Sequence, residues 1–95
     1  MAVIETTTFR LADGVDEGAF LEFDEAVRTG FLYHQAGIVR ATTARADDGH
    51  WVVIVMWASE EHADAALAAG TDDGTMQQFD QLVTGAERNR YRTFD

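Results

Sequence analysis

Trp51-Val52-Val53-Ile54-Val55-Met56-Trp57-Ala58 is the longest apolar run in the chain. It falls far short of the roughly 20 residues that span a bilayer, and its β-branched content reads as a strand. Taken as a strand over 50–57, it presents His50, Val52, Ile54 and Met56 on one face and Trp51, Val53, Val55 and Trp57 on the other. Both faces are mainly apolar, so the strand is central and covered on both sides. Working back toward the N-terminus, Ala46-Asp47-Asp48-Gly49 is a hairpin turn, because Asp-Gly tolerates positive φ. The turn joins the central strand to a strand over 38–45 (IVRATTAR). Before that, Phe20, Phe23, Val27, Phe31 and His34 recur at helical spacing and predict a helix over 17–34. Asp16 is its N-cap, Val15 and Phe20 form a staple across the cap, and Gly37 lies just past its end. Residues 2–10 (AVIETTTFR) alternate as a first strand, followed by a turn over 11–14.

Beyond the central strand, Ser59 caps a second helix with Glu60 and Glu61 in its first turn. Ala63, Ala66 and Leu67 form its apolar stripe and Gly70 stops it. After a loop over 71–74, Met76, Phe79, Leu82 and Val83 mark a short helix ended by Gly85, and 87–94 (ERNRYRTF) is the last strand. The order βαββαβ, with its second helix split, predicts an α+β fold: a ferredoxin-like four-stranded antiparallel sheet in a single domain over 1–95. Helices on one side leave the other apolar face of strand 50–57 uncovered. A second copy of the sheet is the simplest cover, so we expect a homodimer formed through sheet faces.

The 95 residues include 17 acidic and 7 basic ones, a net charge of −10, with no Pro and no Cys. Without Cys there is no disulfide, no Cys-ligated metal and no thiol nucleophile. Every basic residue is Arg, so a lysine Schiff base is excluded. The acidic balance argues against nucleic acid and anionic membrane as partners. The N-terminus lacks the basic and apolar regions of a signal peptide, and a cytoplasmic protein is expected. No Ser-His-Asp order, phosphate-binding glycine loop or paired-His metal spacing occurs.

Three segments resemble the dimeric α/β-barrel superfamily, and within it the antibiotic biosynthesis monooxygenase-like domains: Tyr33-His34-Gln35-Ala36-Gly37-Ile38, Asp47-Asp48-Gly49-His50-Trp51 and Met56-Trp57-Ala58-Ser59-Glu60-Glu61. The resemblance spans nearly the whole chain. It implies a dimeric α/β barrel with a ligand cavity between the helices and the concave sheet face of each subunit. The superfamily holds cofactor-independent monooxygenases, haem-degrading enzymes, isomerases and polyketide-type cyclases. The chain departs from the haem-degrading branch: no His follows Trp57 over 70–79, and Glu5-Thr6-Thr7-Thr8 stands where that branch has an Asn. No cofactor and no metal are therefore expected.

The resemblance implies that Trp57 looks into the cavity, where it would stack on a flat hydrophobic small molecule. Phe20, Phe23 and Val27 would form the apolar floor. His34, in phase with them, is the candidate general base, since an imidazole titrates near neutral pH. Its alternative role is to cap carbonyls at a helix C-terminus. Tyr33 and Tyr91 are candidate hydrogen-bond donors to a substrate oxygen. His50 and His62 read as surface residues. Arg88, Arg90 and Arg92 share one strand face, either as an anion site or paired with acidic neighbours. The expected activity is cofactor-independent oxygenation of an aromatic or polyketide-type molecule. Cyclisation or isomerisation in the same cavity, and ligand binding without catalysis, are the alternatives.

Overall fold

A computed structural model describes residues 2–94. The elements are β1 (Val3–Leu11), α1 (Glu17–Gly30), a 3₁₀ turn (Leu32–His34), β2 (Ile38–Arg45), β3 (Trp51–Trp57), α2 (Glu60–Asp72), α3 (Thr75–Leu82) and β4 (Val83–Arg92). The strands form one antiparallel sheet in the order β2-β3-β1-β4, which is the ferredoxin-like arrangement. β3 is an interior strand, as its two apolar faces require. Asp16 caps α1 by accepting from the Ala19 amide at 3.1 Å, and Ser59 caps α2 by accepting from the His62 amide at 3.2 Å.

Two buried clusters lie between the helices and the sheet. In one, Trp57, Val55 and Ala41 pack against Ala63 and Ala66 of α2. In the other, Phe9, Trp51 and Val83 pack around Phe20 of α1, with Val15 and Phe79 at its edge. Phe9 and Phe20 are tilted at 5.4 Å between ring centroids, and Phe20 meets Trp51 edge-on at 5.1 Å. Val53 packs against both clusters and so marks the gap between them.

Three sequence expectations are corrected. The first helix ends at Gly30, not at 34: Phe31 leaves helical geometry at φ −124° and ψ −63°, and a 3₁₀ turn follows. The Thr29 hydroxyl donates to the Glu25 carbonyl at 2.8 Å, which competes with the helical ladder just before the break. The 3₁₀ turn advances each residue by about 120° instead of about 100°, so a phase carried from Phe20 no longer holds at His34. Gly70 does not stop α2, which runs on to Asp72. Gly70 is buried instead, and an added Cβ would press on Met76 and Phe31 at 3.4 Å each. Finally, α3 passes into β4 with no intervening loop: Val83 is a buried strand residue, and Gly85 sits inside β4 at φ +65°.

Candidate functional site

Between the two clusters the helices and the sheet enclose a mainly apolar cavity of about 160 Å³ that opens to solvent. Its helical wall comes from the α1 stripe Phe20, Phe23 and Val27 and from Phe31 just past the helix end, with Leu67 and Met76 from α2 and α3 opposite. Its sheet wall is Val53, Val55 and Trp57 of β3 and Glu5 and Thr7 of β1. Trp57 is 2% exposed, and its indole N–H donates to Glu5 Oε1 at 2.8 Å. That bond fixes the plane of the ring that forms the wall.

Among the described residues, three charged ones border this space: Glu5, Asp24 and Arg88. Glu5 uses its second oxygen to accept from Arg90 at 2.9 Å, and Arg90 also reaches Asp64 at 2.7 Å. Hydrogen bonds to Asp64 and Glu5 raise the Arg90 pKa, so this cation stays charged at any ordinary pH. Asp24 accepts from Thr43 Oγ1 at 2.8 Å on one oxygen and from Arg28 at 3.0 Å on the other. Both carboxylates are thus occupied on both oxygens, each by a cation outside the cavity lining. Arg88 is different. Its guanidinium contacts the Met76 sulfur at 3.5 Å and forms no ion pair with a carboxylate among the described residues.

Of the candidate site residues, the structure brings Trp57, Phe20, Phe23 and Val27 together around the cavity. It places His34, Tyr33 and Tyr91 elsewhere. His34 is exposed in the 3₁₀ turn and does not line the cavity, for the phase reason given above. Tyr33 is half exposed and turns its hydroxyl to the Ala41 carbonyl at 3.2 Å. Tyr91 faces Ile4 across the β1–β4 pair and stays exposed. Nor is His62 a plain surface residue. Its ring is half-buried, 2.7 Å from the Ser59 hydroxyl, and lies against the backbone of Gly37.

Glu5 and Asp24 escaped the sequence reading, although each carries a signal, whereas Arg88 is singled out there with Arg90 and Arg92 as an anion site or an ion-pairing face. Asp24 sits at the i+4 position from Phe20 and i−3 from Val27, inside the apolar stripe. Glu5 alternates with Val3, Thr7 and Phe9 on the inward face of β1. Arg88 pairs with Thr7 and Arg90 with Glu5 in the β1–β4 register, which puts both cations on that same face.

Comparison with protein-family models and with curated proteins gives no match. Solved structures do match over almost the full length. SnoaB from Streptomyces nogalater, described as a cofactor-independent oxygenase, is 21% identical with a TM-score of 0.84, covering 99% of this chain and 94% of that one. A conserved protein from Methanosarcina mazei is 10% identical with a TM-score of 0.85, covering 99% and 94%. A putative antibiotic biosynthesis monooxygenase from Deinococcus radiodurans is 14% identical with a TM-score of 0.79, covering 98% and 93%. At these identities the likeness is one of architecture, and it matches the cavity-bearing sheet and helices just described. The chain shares its fold with these solved structures, a putative antibiotic biosynthesis monooxygenase among them.

Proposed function

We propose that this protein is a cofactor-independent oxygenase acting on an aromatic or polyketide-type small molecule held in the cavity. The observation that carries the proposal is the aromatic cavity whose Trp57 wall is locked by Glu5. A cavity of about 160 Å³ lined by Phe20, Phe23, Val27 and Trp57 suits a planar ring. The resemblance to a cofactor-independent oxygenase supplies the reaction class. In such a reaction the deprotonated substrate passes an electron to O₂ and recombines at carbon as a hydroperoxide. Loss of water then leaves a carbonyl, so a methylene plus O₂ becomes a carbonyl plus water. The protein's part is to exclude bulk water, hold the ring and steady the developing oxyanion. With His34, Tyr33 and Tyr91 outside the lining, the binding role falls to Trp57, Phe20, Phe23 and Val27.

The test is oxygen uptake by the metal-free protein with a panel of anthrones and polycyclic phenols. We expect one O₂ consumed per carbonyl formed, and a loss of about 10–100-fold in kcat/KM for Trp57→Ala, the equivalent of about 1.4–2.8 kcal/mol of transition-state stabilisation. No uptake above the spontaneous rate with any member would turn the assignment toward the second reading, a binding protein. One specific observation favours that second reading: neither carboxylate at the cavity has a free oxygen to act as a base.

We also propose a homodimer formed through the sheet face away from the helices. Ile4, Val52, Ile54 and Met56 alternate with the helix-facing residues and form an apolar, half-buried strip across β1 and β3.

A further inference from the structure

We infer that Arg88 makes the cavity selective for the anionic form of an acidic ring hydroxyl, so that binding itself deprotonates the ligand. This rests on the cavity being the substrate site. Glu5 and Asp24 border the cavity, yet each is matched by its own guanidinium, Arg90 and Arg28. Arg88 is the third charged residue in the lining, and what its guanidinium meets is a thioether, Met76 Sδ at 3.5 Å. In a chain with a net charge of −10, acidic partners are plentiful, and Arg90, two residues along the same strand face, engages Glu5 and Asp64. Arg88 is thus an exposed guanidinium at the border of an apolar space, with a thioether contact and no carboxylate partner among the described residues.

A guanidinium placed so demands an acceptor, and charge-assisted bonds to oxygen anions are the strong ones. Phe23, Val27, Phe31 and Met76 line the cavity that the exposed Arg88 borders, so a ligand held there is partly shielded from water on its ring side while its oxygen meets the cation. Among the described residues, the lining offers no imidazole and no carboxylate without a hydrogen bond on each oxygen. Stabilising the conjugate base does the same work: the O–H bond of the ligand breaks, its electron pair stays on oxygen beside Arg88, and the proton goes to water at the open mouth. An opposite charge at about 4–6 Å lowers an acid's pKa by about 1–3 units.

The probe is 4-nitrophenol, a one-ring phenol whose anion absorbs visible light. Equilibrium dialysis measures its retention, and absorbance against pH at saturating protein gives its bound pKa. The wild-type protein should lower that pKa by about 1–3 units. Arg88→Gln should retain the ligand with its pKa at or above the free value, while Arg88→Lys should keep most of the effect. Arg40→Gln, which removes one positive charge outside the lining, should behave as wild type. Retention by wild type with no lowered pKa, or an equal lowering in Arg88→Gln, overturns the role of Arg88 and leaves the cavity as a binding site. No retention by wild type in either protonation state overturns the cavity reading and the inference together.

Discussion

Glu5 is held between an indole and a guanidinium, and Gly37 under an imidazole; both placements can be tested by single substitutions. Gly37 has φ +80°, and a Cβ there would overlap the Cβ and ring of His62. Gly37→Ala should therefore cost about 2–3 kcal/mol in urea unfolding, at the upper end of single-residue effects. His62→Ala added to it should recover part of the loss, because the steric share vanishes while the backbone share remains. Trp57→Phe keeps a ring in the wall but deletes the donor to Glu5 Oε1. Leaving that carboxylate oxygen without its partner should cost about 1–3 kcal/mol, and Glu5→Gln, which still offers an acceptor, should cost less than Trp57→Phe.

At the scale of elements, α1 carries two glycines with different surroundings. Gly30 has open space around a would-be Cβ and ends the helix at negative φ, so Gly30→Ala should stabilise the fold by about 0.5–1 kcal/mol in thermal unfolding. Gly18 has the Asp16 carboxylate 3.0 Å from that point, so Gly18→Ala should gain less. At α3, the Asp73 carboxylate accepts from the Thr75 amide at 2.9 Å, and hydrogen bonds to Thr75 hold its pKa below the ordinary 3.8. A lowered carboxylate pKa stabilises the folded form above the ordinary value and loses that contribution as pH falls below it. Amide exchange at the start of α3 should accordingly quicken as pH falls through that range relative to the rest of the helix, and Asp73→Asn should remove the effect. The elements themselves were legible where period and cap agreed, as in Asp16 with the Phe20–Val27 stripe and in the alternating faces of β3. They were misread where tertiary packing overrides a local stop signal. Gly70 looks like a terminator and is a contact point for Phe31, and Gly85 looks like a helix end and lies within a strand.

For the whole molecule, the apolar strip of Ile4, Val52, Ile54 and Met56 predicts self-association. Sedimentation at micromolar concentration should give twice the 10.5 kDa chain mass, and Ile54→Lys at the middle of the strip should give the single chain mass with its far-ultraviolet dichroism intact. About half of the site was legible in the sequence, for a reason that belongs to this scale. Phe20, Phe23, Val27 and Trp57 follow from periodicity within one element, which sequence displays directly. Glu5 and Arg88 share the cavity because β1 pairs with β4 in one register, and Asp24 is held there by Thr43 of β2, and no single stretch reveals either contact. The same division between two clusters has a spectroscopic consequence. Trp51 is packed among Phe9 and Phe20 under Arg45, whereas Trp57 forms part of the cavity wall. With Trp51→Phe the emission of the remaining indole reports cavity occupancy, and with Trp57→Phe it reports the integrity of the other cluster. One chain thereby carries separate intrinsic fluorophores for ligand and fold, and a titration can tell a molecule that fills the site from one that unravels the protein.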